Sequence, residues 1–598
     1  MTTTAFPIMS TKIAKTVATT TATTATTITT TATNAESEGQ RRIIEGSTTM
    51  LVPADEEQSV FYNPVQVQNR DLSILMIALY VERRRTRLAV EAKKKELRTA
   101  NITGDELKKQ LEDYEAQIDP TQLVQDEDSA TEGIHIFDAL AASGLRTIRY
   151  WNEIPGVKHV TINDLDPVAV HRAHDNIQVN GLTSMLLTES DKRGYGIHVQ
   201  NGDATHEMYL SRRAPGLQEL THVLRQQRDQ WDIIDLDPYG SAAPFIDGAV
   251  QAIKDGGMLN VTCTDMAALG GSHPETCYGR YASMPIQRAH YLQESALRNL
   301  LHTLALSAAR YGRTIRPILS VGMNFYVRCF VEVYNDKAGV NDLSLHIGSI
   351  YQSTQCPSFH IVPHGTFGLK GRNIYQPHRA PLVPQCEETG APFKVGGPIW
   401  LGPLHNKNVV YEALRRLESK EETVVPDMKW IATQERLVGL LTSVSEELVD
   451  IPLYYTLPLL GQTLKTQTPP IQQFKAAIVN AGYRVSGFHK EPQAIKTDAP
   501  NHVIWDIMRV WHRDQPPRDL LSNKEKKRKE AKNQISSAAE KILATEPAIT
   551  VNWTIPKIFE SAKKVSRFPQ NPEKHWGPKK AATGVKRKAE DKNIEIPR

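Results

Sequence analysis

Residues 231–245 read WDIIDLDPYGSAAPF, an apolar run that ends in Asp235 and Asp237 and turns at Pro238. The run has the length and composition of a buried strand. Because a carboxylate is costly to bury without a partner, the two aspartates indicate either a strand end at solvent or a site that uses their oxygens. Aspartate–proline followed by glycine is also an ordinary turn signal, so this stretch alone favours a turn.

The bulk composition is that of a globular protein, with 598 residues, 40% hydrophobic, 23% charged and a formal net charge of +4. The length predicts two or three domains. Five unevenly spaced cysteines do not make a disulfide framework, which indicates a reducing, intracellular setting. The most apolar stretch, LSILMIALYV from Leu72, is too short to span a bilayer. The sequence therefore predicts a soluble protein with no membrane partner.

Both ends of the chain differ in composition from a folded core. Residues 1–56 form a threonine- and alanine-rich leader without an acidic side chain before Glu36, which is typical of disorder or of a mitochondrial transit peptide. Residues 517–598 form a basic tail with the runs NKEKKRKEAKN and VKRKAEDK. We expect this tail to be largely disordered, and it could serve as a nuclear localisation signal or contact RNA.

Between these ends, short apolar runs alternate with amphipathic stretches, the pattern of strand–helix–strand units on a parallel sheet. Strands are predicted to begin at Ile134, His159, Ile197, Trp231, Gly257, Ile315 and Tyr326. Only MNF separates the last two strands, so they should form an antiparallel hairpin. This α/β pattern of seven mostly parallel strands resembles the Rossmann-like fold of class I S-adenosylmethionine-dependent methyltransferases.

The predicted domains follow from this pattern. The methyltransferase domain covers 57–338 and contains a highly charged stretch at about 82–130, which is either a solvated helical insertion or a linker. From residue 339 the alternation of apolar runs with amphipathic stretches stops in a proline- and glycine-rich region. Mixed helical and strand patterns then resume and continue to about residue 516. We expect 339–516 to be a smaller α+β domain.

Four of the predicted strands finish with an acidic residue, and ligands of open parallel sheets bind beyond the carboxyl ends of the strands. The four acids are Asp138, Asp164, Asp203 and Asp237. Such repetition indicates a polar ligand. S-adenosylmethionine carries a sulfonium cation and an amine, so these acids suit it, whereas they would repel the pyrophosphate of a nicotinamide cofactor. The glycine-rich fingerprint for that pyrophosphate is also missing.

Individual residues at this edge have candidate roles. Gly144 permits a close backbone approach where the first helix begins. Asp164 stands where an acid accepts both ribose hydroxyls, although capping of the next helix beside Asp166 explains it as well. Asp203 and Ala204 of the GDA triplet would lie beside the adenine ring.

Several motifs occur in the order found in the tRNA (guanine-26-N2)-dimethyltransferase family, which the chain resembles from Val60 to about Pro578. They are VFYNPVQVQNRDLS, FDALAASGLRTIRYWNE, NDLDPVAV, the DPYG stretch, YGRY, GPIWLGPLH, IKTDAPNHVIWDIMR and RFPQNPEKHWGPKKA. The resemblance implies that Arg70 and Arg146 help to bind the cofactor. It also implies transfer of two methyl groups to a tRNA guanine, in both nucleus and mitochondrion.

The DPYG turn could prepare the exocyclic amine of the guanine for this reaction. Asp237 would accept one N–H bond and the carbonyl of Pro238 another, and the carboxylate would later take a proton. Tyr239 would lie against the base, and by the family pattern Phe61 would close the other side. The guanine must first leave its stack. The C-terminal domain and basic tail would hold the tRNA phosphates, and we expect a monomer.

A zinc site is the first alternative to weigh. Many family members hold zinc with paired cysteines, whereas only Cys356, Cys386 and the nearby His360 remain in this chain. Two thiolates and one imidazole fall short of a closed four-ligand site, so we expect no zinc.

Two other functions compete with the proposed reaction. RNA cytosine-C5 methyltransferases keep a nucleophilic thiolate where this chain has Cys263, although they also carry a cysteine where it has Tyr239. A buried, inert cysteine explains Cys263 better. A non-catalytic tRNA-binding scaffold is the other alternative, but it would gain nothing from a row of acids that faces RNA.

Overall fold

The computed structural model describes residues 40–53, 62–120, 123, 133–188, 191, 194–212, 230–323, 325–368, 371–379, 384–419, 428–514, 537–559 and 565–569. At the centre is a seven-stranded sheet in the order β5-β4-β3-β6-β7-β9-β8. Its strands are β3 (Ile134–Asp138), β4 (Val157–Asp164), β5 (Gly196–Asn201), β6 (Trp231–Leu236), β7 (Ile253–Cys263), β8 (Arg313–Met323) and β9 (Tyr326–Asn335).

The pairing of these strands confirms the predicted fold class. Strands β3 to β7 pair in parallel. Strand β9 lies antiparallel between β7 and β8, so the last two strands form the predicted hairpin. The chain therefore has a Rossmann-like α/β sheet with one reversed strand.

Helices cover both faces of the sheet because successive strand residues point to opposite sides. The helices of this part are α1 (Val67–Thr99), α2 (Gly104–Gln117), α3 (Leu145–Glu153), α4 (Pro167–Val179), α5 (Ala204–Leu210), α6 (Ala243–Ala252), α7 (Met266–Leu269), α8 (Pro274–Tyr281), α9 (Leu292–Ala309) and α10 (Lys337–Asn341). Ile136 and Ile233 pack in the core with α1, α3 and α4. Their neighbours Phe137 and Ile234 pack in the core with α6 and α9.

Part of the predicted leader is folded. Residues 40–53 form an antiparallel hairpin of β1 (Gln40–Glu45) and β2 (Thr48–Pro53). Met50 is buried, and the amide of Leu51 donates to Oδ1 of Asn176 at 2.9 Å. The prediction of a disordered leader up to residue 56 is therefore wrong for this stretch, because alternate apolar residues bury one face of the hairpin. Residues 1–39 lie outside the described residues.

The charged insertion contains the second half of α1 and all of α2. The first half of α1 is buried up to Glu82, and most of its later side chains reach solvent. Helix α2 buries Leu107 and exposes most of its other side chains. Of the two predicted alternatives, the described part fits a solvated helical insertion.

The α+β region after residue 339 is present as predicted. Its strands are β10 (Ile347–Ser353), β11 (Phe359–Pro363), β12 (Gly365–Gly368), β13 (Gly371–Pro377), β14 (Phe393–Trp400), β15 (Tyr455–Thr456), β16 (Val485–Phe488) and β17 (Glu491–Thr497). Its helices are α11 (Lys407–Glu418), α12 (Gln434–Ser445), α13 (Leu457–Leu464), α14 (Ile471–Asn480), α15 (Asn501–Asp514) and α16 (Ser537–Leu543). Val410 of α11 and Leu441 of α12 share the core of α1, so this region completes one face of the central sheet.

Helix α16 belongs to the stretch predicted as a disordered tail. Its Ala539 and Ile542 are fully buried, and Arg509 donates to the carbonyl of Ile542 at 2.7 Å. Farther on, Arg567 pairs with Glu446 at 2.5 Å. The prediction is therefore wrong for 537–559, where apolar side chains pack on the second region, and for 565–569, where Arg567 forms the ion pair with Glu446. Both basic runs of the tail lie outside the described residues. Within the described residues, no helix has the length and apolarity that crossing a membrane requires.

Candidate active site

The sheet order brings the four strand-end acids to one edge. Strands β5, β4, β3 and β6 are consecutive neighbours, and their carboxyl ends carry Asp203, Asp164, Asp138 and Asp237 in that order. The acids are separated by up to about one hundred positions in the chain and become neighbours only through strand pairing. The expected acidic edge is therefore present.

Asp235 is buried completely, and its charge is neutralised inside the sheet. Arg328 of β9 donates to its two carboxylate oxygens at 2.9 and 2.7 Å, and Tyr150 donates to the same group at 2.7 Å. Burial by itself raises the pKa of Asp235, but Arg328 and Arg146 lower it to about 2. Asp235 is thus an ionised structural residue beneath the site.

Asp237 differs because its side chain is partly open to solvent. Its Oδ2 accepts hydrogen bonds from Arg146 and, at 3.4 Å, from the amide of Asn69. Its Oδ1 accepts none from the residues that the structure describes. Burial lowers the pKa of Arg146, but Asp237 and Asp235 raise it well above its usual value, so Arg146 stays charged. One oxygen of Asp237 is therefore fixed and the other is available.

The turn that follows presents one ring to solvent. Pro238 is buried, whereas Tyr239 is 78% exposed directly beside Asp237. Gly240 has φ +87°, a left-handed conformation that glycine adopts without strain. The contact of Tyr239 with a base stays a prediction. Phe61 lies outside the described residues, so its predicted role stays a prediction.

Asp138 is buried at the edge next to this turn. Its Oδ2 accepts a hydrogen bond from the hydroxyl of Thr147 at 2.6 Å. Burial, followed by the charge of Asp235, raises the pKa of Asp138 to about 7, although Arg146 opposes the shift. A cation bound beside Asp138 would favour its ionised form. The position therefore suits a cationic ligand.

Asp164 is tied to two backbone amides. Its Oδ2 accepts from Ala142 at 2.8 Å and its Oδ1 from Asp166 at 2.9 Å. The cap of helix α4 is Asp166, which accepts from the amide of Val168. The alternative that Asp164 itself caps the helix is therefore wrong. Its ribose contact stays a prediction.

Asp203 and Ala204 of the GDA triplet, and Gly144, each have a local structural role. Asp203 caps α5 by accepting from the amide of Thr205 at 2.7 Å, and Ala204 begins that helix. Gly144 has φ +74°, and an added Cβ would lie 3.0 Å from the side chain of Ile162. Gly144 therefore allows α3 to pack closely on β4, and contact of all three residues with a cofactor stays a prediction.

Arg70 forms an ion pair with the N-terminal hairpin. Its guanidinium donates to both oxygens of Glu45 at 2.5 Å. Burial raises the pKa of Glu45, but Arg70 and Arg149 outweigh it and lower the pKa. The structure thus assigns Arg70 a fold-stabilising contact, and its cofactor role stays a prediction.

Sequence reasoning overlooked four residues around the site. Asn69 contacts Asp237, and Arg328 contacts Asp235. Thr264 bonds to Gly240 of the DPYG turn, and Leu165 is an apolar side chain 72% exposed directly after Asp164. Arg328 had a detectable signal, since a charge within an apolar strand needs a partner. So did Leu165, an apolar residue between the strand-end acid Asp164 and the helix cap Asp166.

The nucleophile required for the cytosine-C5 alternative is inaccessible. Cys263 is fully buried, and burial raises the pKa of its thiol to about 12. A thiol of this kind is not ionised near neutral pH, so it is a poor nucleophile. Cys263 is an inert core residue, as the sequence favoured.

Of the three weak zinc candidates, the two cysteines lie together and the histidine has a different partner. The sulfur atoms of Cys356 and Cys386 are 3.6 Å apart, whereas His360 faces Glu387 at 3.2 Å. Another group, His405, Glu447 and His489, is close enough for metal binding and is buried.

In that second group, both histidines already use a ring nitrogen as an acceptor. His405 accepts from the amide of Ser320 at 3.2 Å, and His489 accepts from that of Gly322 at 2.9 Å. The other ring nitrogen of His489 bonds to Glu447 at 2.7 Å. The group therefore ties the second region to strand β8.

Comparisons with known proteins show which family the chain belongs to. The model of the N2,N2-dimethylguanosine tRNA methyltransferase family matches residues 39–509. The tRNA (guanine(26)-N(2))-dimethyltransferase of Mus musculus is 35% identical over 563 residues, which cover 92% of this chain and 78% of the relative. The mitochondrial enzyme of that name from Saccharomyces cerevisiae is 31% identical, covering 90% of this chain and 91% of the relative.

A solved structure shares the fold. Trm1 from Pyrococcus horikoshii, in complex with S-adenosyl-L-methionine, superposes with a TM-score of 0.55 and 26% identity, covering 77% of this chain and 98% of that one. The sequence relatives span most of this chain and of their own length. The chain belongs to the N2,N2-dimethylguanosine tRNA methyltransferase family.

Proposed function

We propose that this protein transfers two methyl groups, one after the other, from S-adenosylmethionine to the exocyclic amine of guanine 26 in tRNA. The observation that carries the proposal is the state of Asp237, whose Oδ2 is fixed by Arg146 while its Oδ1 has no partner among the described residues. The family supplies the substrate class, and the geometry supplies the way in which the amine would be held.

The turn offers two hydrogen-bond acceptors to an amine. The first acceptor is Oδ1 of Asp237. The second is the carbonyl of Pro238, which accepts no hydrogen bond from the described residues. A guanine amine is a poor nucleophile because its lone pair is delocalised into the ring. Binding its two N–H groups to these acceptors would turn the lone pair toward the methyl donor. Orientation of this kind contributes several kcal/mol to catalysis.

Asp237 can accept the proton that each methyl transfer releases. The amine nitrogen forms a bond to the methyl carbon, while the carbon–sulfur bond breaks and its electron pair stays on the neutral thioether. The nitrogen then carries a positive charge, and Oδ1 of Asp237 accepts its proton. Proton acceptance by a positioned group is worth about 10²- to 10⁴-fold in rate. After the first transfer one N–H remains for the second.

The neighbouring acids would bind the methyl donor, which supplies an electrophilic methyl group when bound. Asp138 is buried beside the turn and can face a cationic group. Asp164 is the last residue of the adjacent strand β4, where it can accept from ribose hydroxyls. The exposed Leu165 adds an apolar surface for a ring. Tyr239 would stack on the target base, which must leave the RNA helix.

The second region and the basic tail are proposed to bind tRNA phosphates, in a monomeric enzyme. We also propose that the protein acts in both nucleus and mitochondrion. The yeast relative is named as mitochondrial. The lysine-rich tail has the composition of a nuclear localisation signal.

Mass spectrometry of tRNA nucleosides tests the function directly. Unmodified tRNA is incubated with the purified full-length chain and S-adenosylmethionine and then digested. We expect N2-methylguanosine first and N2,N2-dimethylguanosine later, and both should vanish when guanine 26 is replaced by adenine. Methylated cytosine, or no methylated nucleoside, would contradict the proposal.

A further inference from the structure

The proposed catalytic turn, Asp237 to Gly240, is hydrogen-bonded to Thr264, a residue outside the turn. The amide of Gly240 donates to the hydroxyl of Thr264 at 2.8 Å, and the amide of Thr264 donates to the carbonyl of Gly240 at 2.8 Å. Thr264 directly follows β7, the strand next to β6. The two hydrogen bonds therefore join the far end of the turn to the strand-end position beside it.

This attachment matters because the near end of the turn is fixed independently. Strand β6 ends at Leu236, paired with Val261 of β7, one residue before Asp237. The two proposed acceptors, Oδ1 of Asp237 and the carbonyl of Pro238, lie between this end and Gly240. Their spacing depends on the backbone torsions of the turn. Fixing both ends therefore fixes the distance between the acceptors.

A second set of hydrogen bonds supports the same place. The hydroxyl of Ser241 bonds to the buried hydroxyl of Tyr281 at 2.6 Å, and Tyr281 also bonds to Asp265 at 2.9 Å. Arg280 pairs with Asp265 at 2.9 Å. The residues that follow the turn and those that follow β7 are thus joined through α8.

We propose that Thr264 is a positioning residue for methyl transfer, acting through Gly240 on the two acceptors of the turn. The inference rests on the proposed function. It also gives a role to the residue that directly follows the inert Cys263. Thr264 contacts neither the base nor the reacting methyl group, and its hydroxyl holds the turn in the shape that receives an amine.

The second methyl transfer depends more strongly on this attachment. In the first transfer, the two N–H groups of the guanine amine can bind both acceptors. These two hydrogen bonds orient the amine even when the turn is less rigid. In the second transfer, a single N–H remains and the nitrogen carries a bulkier methyl group. Its orientation then comes from the rigid turn alone. Loss of the Thr264 hydroxyl should therefore cause the monomethylated product to accumulate.

The test compares Thr264→Val, which keeps the side-chain shape but removes the hydroxyl, with Thr264→Ser, which keeps the hydroxyl. A misplacement of about 1 Å costs about 10²-fold in rate. We accordingly expect Thr264→Val to lower kcat for the first methyl by about 10-fold and for the second by about 100-fold. The KM for S-adenosylmethionine should stay unchanged. Thr264→Ser should restore both the rate and the wild-type ratio of products.

The product ratio separates positioning from misfolding. A smaller folded fraction lowers both transfers equally, so the ratio of mono- to dimethylguanosine is measured at equal total methyl transferred. Thr463→Val is a matched control, since its hydroxyl donates to a helix carbonyl in α13. If Thr264→Val does not fold, Tyr281→Phe, which loosens the supporting set, should shift the ratio in the same direction by a smaller factor.

Two outcomes are distinguishable. If the wild-type enzyme makes dimethylguanosine and Thr264→Val makes it at the same rate and ratio, the role of Thr264 is wrong and the proposed function stands. If the wild-type enzyme makes no N2-methylated guanosine, the proposed function fails and takes this inference with it.

Discussion

Arg328 donates two hydrogen bonds to Asp235, at 2.9 and 2.7 Å, with both side chains completely buried. The two residues lie on β9 and β6, which are separated in the sheet by β7. This ion pair answers the question raised by the apolar run that ends in two aspartates. Asp235 has a structural role, and Asp237, two residues later, belongs to the proposed site.

Arg328→Met should destabilise the fold. The change leaves the carboxylate of Asp235 buried without its main partner, and breaking a buried pair in this way costs about 3–5 kcal/mol. We expect a loss of that size in the free energy of unfolding, measured by denaturant titration. Arg316→Met, which removes an exposed arginine from β8, is the control and should change stability by less than about 1 kcal/mol. An equally small effect of Arg328→Met would contradict this account.

Asp237→Ala should abolish methyl transfer while the protein remains able to bind its ligands. Removing the proton acceptor and one amine contact should lower kcat by at least about 10²-fold. Because Arg146 and Tyr239 remain, the Kd for tRNA should stay within about threefold, in a filter-binding assay. Asp247→Ala is a suitable control, since Asp247 accepts from Tyr209 and Tyr311 away from the turn. A wild-type rate for Asp237→Ala would show that another group accepts the proton.

The pH dependence of stability should reflect Asp138. Its pKa is raised to about 7 in the folded protein, so the unfolded chain ionises first as the pH rises. Its contribution to stability is therefore full below pH 4 and is lost as the pH rises through about 7. We expect this group to lower the Tm of the ligand-free protein between about pH 4 and pH 7 and to add no further fall above pH 7, and Asp138→Asn to reduce that fall. An identical pH profile for the variant would exclude Asp138 as the cause.

The N-terminal hairpin should be needed for a stable enzyme. Glu45 in β1 joins Arg70 of α1 to Arg149 of α3, with ion-pair distances of 2.5 and 2.9 Å. Deleting residues 1–53 removes this acid and leaves two buried arginines short of a partner. We expect the deletion to lower the Tm by several degrees and to weaken binding of S-adenosylmethionine, measured by calorimetry. Deleting residues 1–39 is the control and should preserve both quantities.

Removing metal ions should not affect the protein. The sulfur atoms of Cys356 and Cys386 are adjacent, but His360 bonds to Glu387 and no third ligand completes a set around the sulfurs among the described residues. We expect dialysis against a strong chelator to leave the Tm and kcat unchanged. Elemental analysis should find less than about 0.1 zinc per chain, because a closed zinc site needs four ligands. A stoichiometric amount of zinc would overturn this expectation.

The sequence by itself determined the central sheet and the family. Local periodicity and the lengths of the connections gave the seven strands and the final hairpin, because alternation and short loops are properties of neighbouring residues. The same strand ends placed four acids at one edge, and motif order identified the family. The hairpin of 40–53 was hidden in a leader of biased composition, and α16 in a basic tail, since their stability comes from surfaces far away in the chain.

Only the tertiary structure decided how the two aspartates of WDIIDLDPYG divide their work. Nothing within that segment shows that Arg328 neutralises Asp235, that Arg146 holds one oxygen of Asp237, or that Thr264 fastens the turn. Each of these partners comes from another element, which strand pairing and helix packing place beside the segment. The charge state of a carboxylate depends on what surrounds it in space, so a sequence read position by position locates the acids but not their roles.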